Sequence, residues 1–247
     1  MTNIIRLDHI DHAYGKKQIL SKVSFTCATG DVIAIFGRNG SGKSTLLKSL
    51  FGTLTPHNIE LYLNNTKIEK ISTKNKHIAY LPQDVFLPKD LKVKNIIPMY
   101  FPDGDTQNKI FYSPLVHKIE NQRAGTLSLG EQRYLEFLLI VNLNHPFVLL
   151  DEPFSMIEPL YKEAIKEIIT TYKKDKGFII TDHYYLDVME VASKKMILKE
   201  GISHEVLNLN DLIDYGYLPD DCPPSPSFVT RLFEDGVCNA TPLPCIF

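Results

Sequence analysis

The chain's densest set of chemistry-bearing residues is the run Gly37, Arg38, Asn39, Gly40, Ser41, Gly42, Lys43, Ser44 and Thr45. It fits the pattern G-x-x-x-x-G-K-[ST], and it follows the apolar run Val32–Phe36 in the strand-to-helix setting the pattern requires. Glycines let such a loop curl so that successive backbone N–H groups converge on phosphate oxygens at a helix N-terminus. Lys43 then reaches the β- and γ-phosphates, and the Ser44 hydroxyl is placed to bind Mg2+. A second group follows the apolar run 147–150, where Asp151 and Glu152 stand at a strand end. Asp151 is placed to hold Mg2+ through its water shell, and Glu152 to orient, or take a proton from, a water attacking the γ-phosphate. Acid pairs also occur as solvated strand ends, and it is the phosphate loop that makes this pair a candidate site.

For loop and acids to meet, their strands must lie side by side with carboxyl ends together. Strand-like and helix-like runs alternate through most of the chain, which predicts α/β architecture with a mostly parallel core sheet. The continuous apolar runs Val32–Phe36, 147–150 and 178–180 predict its buried strands. Leu160, Ala164, Ile168 and Tyr172, with Ile165 and Ile169 beside them and Pro159 ahead, predict an amphipathic helix. Residues 134–143 are apolar almost all round and predict a helix buried under the sheet. Residues 4–28 read as an antiparallel hairpin turning at Tyr14 and Gly15. The polar, proline-punctuated stretch 84–126 reads as a small inserted helical subdomain, extending to about 143 with the buried helix that follows. From Gly216 onward the chain holds six of its fifteen prolines, so residues 216–247 are expected to form an extended tail after a domain of residues 1–215.

Composition narrows the function. With 247 residues, 44% apolar and 23% charged, the chain has the profile of a globular protein and not of a disordered, collagenous or coiled-coil one. Its 27 basic and 29 acidic residues give a net charge of -2, so no positive field gathers nucleic acid, and no direct nucleic-acid partner is expected. No apolar run reaches about eighteen residues, and the N-terminus lacks an export pattern. Cys27, Cys222, Cys238 and Cys245 show no metal-type spacing, consistent with a reducing cytoplasm.

The remaining motifs, taken in order over about residues 4–207, resemble the ATP-binding cassette family. Leu127 to Gln132 reads LSLGEQ and is similar to the family's signature loop, with Ser128, Leu129, Gly130 and Glu131 as its core. Tyr14 matches the aromatic that stacks on adenine, residues 37–45 the Walker A loop, and Gln83 the Q-loop glutamine. Asp151 and Glu152 match Walker B, residues 155–158 the D-loop, and His183 the switch histidine. Each also has a plainer reading. Tyr14 can cap a hairpin, Gln83 can be an amide at a strand exit, and His183 can start a helix. Ser128 with Glu131 has the spacing of a capping box, compatible with either role.

The resemblance implies a P-loop NTPase fold with an antiparallel β subdomain and a small helical subdomain. It implies a Mg-dependent ATPase using Glu152, His183 and Lys43, with ATP on Tyr14, the loop 37–45 and Gln83, and Mg2+ on Ser44, Gln83 and, through water, Asp151. The family pairs two nucleotide-binding domains head to tail, so residues 128–131 are expected to cover the ATP of a second copy or a paralogue. A separate transmembrane subunit, engaged by residues 84–126, would place the chain on the cytoplasmic face of a membrane. The alternative is a soluble ATPase of the same superfamily acting on ribosomes, DNA repair or assembly. Two positions depart from the family: Leu129 stands where glycine is usual, and Glu158 where aspartate is usual.

Overall fold

Buried and exposed residues alternate along β1 (Ile4–Tyr14), and Gly15, at φ +60°, turns the chain back into β2 (Lys17–Leu20). The computed structural model describes residues 2–74 and 76–219, and the chain divides into units Met1–Glu205 and Val206–Phe247. After β3 (Phe25–Ala28), which pairs antiparallel with β1, come the fully buried β4 (Val32–Phe36) and helix α1 (Lys43–Phe51). The chain then adds β5 (Asn58–Leu63) and β6 (Thr66–Lys67) to the β1 layer. The hairpin expected over 4–28 is therefore part of a five-stranded antiparallel sheet. Its later strands were missed by the sequence reading although Ile59, Leu61 and Leu63 of β5 alternate at period two and pack on the core, because that run is a single short one between polar segments.

The second sheet has six strands. β7 (Ile78–Leu81) leads into α2 (Val93–Tyr100), α3 (Gly104–Phe111) and α4 (Val116–Ile119), the short helical pieces expected in 84–126. Then follow α5 (Leu129–Val141), β8 (Phe147–Asp151), α6 (Pro159–Tyr172), β9 (Gly177–Thr181), α7 (Tyr185–Val191), β10 (Lys194–Lys199) and β11 (Ile202–Glu205). The strand order is β11-β10-β4-β9-β8-β7, parallel throughout except for β11. Ile33 and Ile35 on one face of β4 join Leu46, Leu47 and Leu50 of α1 and Ile5, Leu7 and Ile10 of β1 in a single core. Each such side chain contributes about 1.5–3 kcal/mol by leaving water. That packing holds β4, and with it the residues after Phe36, in the middle of the unit.

Two helices differ from expectation. α5 starts at Leu129, earlier than the apolar run suggested, because Ser128 caps it, and its buried surface includes Arg133 and Glu136. α6 does begin with Pro159 at its first turn, but Leu160 is 59% exposed, and burial starts only at Ala164 and includes Lys166. In the unit Val206–Phe247, Asn208 caps α8 (Leu209–Asp214) by accepting from the Asn210 and Asp211 N–H groups. Of the extended tail expected over residues 216–247, residues 220–247, with Cys222, Cys238 and Cys245, lie outside the described residues. Cys27 is buried, and burial, reinforced by Asp31, pushes its thiol up to about 12, which leaves it inert. Among the described residues, no helix is long and apolar enough to cross a membrane.

Candidate active site

The carboxyl ends of β4, β9, β8 and β7 open on one side of the sheet, where an α/β fold places its ligand. There an open cleft of about 740 Å³ is bounded by the loop residues 39–45 and by Tyr14, Gln83, Glu152 and His183. Gly37 is buried beneath the loop and Arg38 is exposed beside it. Gly42, the residue before α1, has φ +102°, and a Cβ there would stand 2.8 Å from Ile19 Cγ2, so only glycine fits. The α1 N-terminus offers its first-turn N–H groups to the loop. Lys43 lies across the loop, its Nζ donating to the carbonyls of Gly37 (2.5 Å) and Arg38 (3.3 Å). Burial pulls the Lys43 pKa below the usual lysine range, with Glu152, Asp151 and Asp182 opposing the shift.

Asp151 is 1% exposed and accepts three hydroxyl hydrogen bonds, from Ser44 (3.2 Å), Thr181 (2.7 Å) and Tyr80 (3.0 Å). Burial, then the adjacent Asp151, pushes the Tyr80 phenol up, so it remains a donor. Glu152 has φ +55°, and its N–H is tied to the Thr181 carbonyl at 2.7 Å. Its carboxylate meets Gln83 Nε2 at 3.0 Å, His183 Nε2 at 3.0 Å and the Ser155 hydroxyl at 3.2 Å. The His183 hydrogen bond is the largest influence holding the Glu152 pKa below the ordinary glutamate value. Asp182, 1% exposed and raised by burial, accepts from Phe154 N–H (2.7 Å), Tyr184 N–H (2.9 Å) and Ser155 Oγ (3.1 Å). One carboxylate thereby ties the segment after Glu152 to the turn bearing His183.

The structure keeps residues 128–131 out of the cleft lining. Ser128 and Glu131 form both bonds of a capping box at the start of α5, so the plainer reading holds for their local contacts. Leu129 is 53% exposed, whereas Gly130 is buried and lies so near the Glu158 carboxylate that a Cβ would collide with it. Tyr14 stands at the hairpin turn and on the cleft rim, edge-on to His12 with ring centroids 4.8 Å apart. Tyr80, Thr181, Asp182 and Arg133 escaped the motif reading. Thr181 and Asp151 face each other only through strand register, while Arg133 and Glu136 left a readable sign as two charges three apart in an apolar helix.

A hydroxyl and a carboxylate 3.2 Å apart, Ser44 and Asp151, are hard oxygen donors of the kind Mg2+ selects. The phosphate loop follows a central parallel strand and the acid pair closes β8, which is not beside β4 as expected but one strand away, because β9 pairs with both; this arrangement places the chain among P-loop nucleoside-triphosphate-binding proteins. A family model described as ABC transporter matches residues 20–155, over half of the chain, and the chain belongs to that family. An uncharacterized ABC transporter ATP-binding protein of Methanocaldococcus jannaschii, MJ1023, is 27% identical, over 88% of this chain and 79% of its own. The lipopolysaccharide export system ATP-binding protein LptB of Acidithiobacillus ferridurans is 26% identical, over 81% of this chain and 88% of its own. The fold is shared with a nucleotide-free ATP-binding cassette from an ABC transporter (TM-score 0.71, 22% identity, 88% of this chain and 96% of that one). It is shared also with the cassette MJ0796, solved as a dimer in a post-hydrolysis state bound to ADP and Pi (TM-score 0.68, 20% identity, 81% and 98%).

Proposed function

We propose that this chain binds and hydrolyses ATP as one of two nucleotide-binding domains that energise a membrane transporter through ATP-driven pairing. One observation carries the reading: the phosphate loop, Gln83, Glu152 and His183 bound a single cleft, and the Glu152 carboxylate lies within 3.2 Å of three donors. Family membership and the two relatives, both named as ATP-binding proteins of transport systems, support it. The dimeric cassette with the same fold supports the pairing.

In this reading the loop N–H groups and Lys43 hold the triphosphate, and Tyr14 takes the base. Mg2+, held by Ser44, Gln83 and, through water, Asp151, would neutralise charge on the β- and γ-phosphate oxygens. Glu152, kept ionised by its partners, accepts the proton of the attacking water, and His183 contacts the γ-phosphate. Ser128 and the α5 N-terminus serve the nucleotide of the paired domain, as a helix N-terminus serves anions generally. Residues 84–126 dock a transmembrane subunit on the cytoplasmic face of the membrane. The test is phosphate release from Mg-ATP by the purified chain, together with pull-down from detergent-solubilised membranes. Recovery of a multi-span protein is expected, and recovery of ribosomal or DNA-repair components in its place would overturn the transport reading.

A further inference from the structure

Arg133 lies on α5 among apolar residues and is 6% exposed. A buried guanidinium is costly unless its N–H groups are well paired, and an apolar replacement of such an ion pair is often neutral or stabilising, so stability alone does not account for it. Its partners are backbone carbonyls of two site segments. Nη1 donates to the Pro82 carbonyl at 2.5 Å, and Nη2 donates to the carbonyls of Asp151 and of Glu152, the latter at 3.3 Å. Glu136, fully buried, stands 3.6 Å from Arg133 Nη1 and accepts the Phe86 N–H at 2.6 Å. The segment bearing Gln83 is thus pinned at both ends, Pro82 and Phe86, by two side chains three residues apart on α5. The same planar fork holds the strand end that bears Glu152, and Gln83 Nε2 meets Glu152 Oε2 at 3.0 Å between those anchors.

We infer that Arg133, braced by Glu136, is a positioning residue for ATP hydrolysis: it fixes the Glu152 carboxylate against Gln83 and joins both to the helix that begins at Ser128. The inference rests on the functional reading above and adds a mechanical link to it. At 1.5 Å per residue, Arg133 stands only about 7.5 Å along the helix from Ser128. A small rotation of α5 when its N-terminus is engaged moves the Pro82, Asp151 and Glu152 carbonyls together.

Arg133→Lys keeps the charge and loses the fork. Its kcat is expected to fall at least about tenfold while KM for Mg-ATP stays within about twofold, since misplacing a reacting group by an ångström costs up to about 100-fold in rate. Glu136→Gln, which retains an acceptor for Phe86 N–H, should lose kcat in the same direction and to a smaller extent. In a Glu152→Gln background, adding Arg133→Lys should reduce the residual rate by less than about twofold, because residues acting as a unit are not additive. A structural role would instead lower nucleotide affinity and multiply the two losses. Unchanged kcat in both single variants, or fully multiplied losses in the double variant, overturns the inference. Absence of phosphate release from the unsubstituted protein overturns the functional reading beneath it, and the two failures are told apart by that control.

Discussion

At the residue scale, Lys43 and Glu152 make the sharpest predictions. Lys43→Ala removes the ammonium that lies across the phosphate loop, and turnover should drop by at least about 100-fold in a phosphate-release assay. Wild-type turnover in that variant would sink the phosphate-loop reading. Glu152→Gln keeps the side-chain shape but cannot take a proton, so a loss on the order of 100- to 10,000-fold is expected. Because the His183 hydrogen bond depresses the Glu152 pKa, its stabilisation is complete above the unfolded value of about 4.3 and is lost as pH falls through the lower folded value. The stability gap between wild type and Glu152→Gln, followed by denaturant melts, should therefore hold at higher pH and shrink as pH falls below about 4.3 and through the lower folded value. Lys43, Ser44, Asp151, Glu152, Gln83 and His183 were legible because each follows a recognisable run or motif. Thr181, Tyr80 and Asp182 were not, because what gives them meaning is the pairing of distant strands, such as Asp151 opposite Thr181.

The elements that carry these residues make predictions of their own. Removing the α5 cap with Ser128→Ala should cost about 1 kcal/mol of stability by chemical denaturation, apart from any effect on ATP turnover. Gly130 marks the meeting of α5 with the start of α6: Gly130→Ala makes the exposed Glu158 side chain swing aside and presses on the Tyr161 ring edge, and because alanine also favours the helix by up to about 1 kcal/mol, the net loss should stay below about 1 kcal/mol. In a cycle with Glu158→Ala, a coupling above about 1 kcal/mol would refute that easy rotation of Glu158. The buried strands of the parallel sheet were readable because continuous apolar runs leave little choice of structure. The pairing of β1 with β5 was not, since the alternation Ile59, Leu61, Leu63 marks a strand but not its partner, which is fixed by register with distant β1. Leu160 misled for a related reason: its spacing suits the helix stripe, but the first turn of α6 is exposed.

For the whole molecule, the central question is pairing. Glu152→Gln should accumulate as a dimer on size exclusion with Mg-ATP, and a monomer under those conditions would count against the two-domain mechanism. If residues 128–131 meet the second domain as proposed, Leu129 would give that pairing a thermal character. Its isobutyl group is 53% exposed at the N-terminus of α5, where the family usually has glycine. Covering it against a second domain would return apolar surface from water, a driving force that is entropic near room temperature and fades on cooling. An association carried in part by this side chain should show a negative heat capacity change and loosen in the cold, and Leu129→Gly should flatten that temperature dependence.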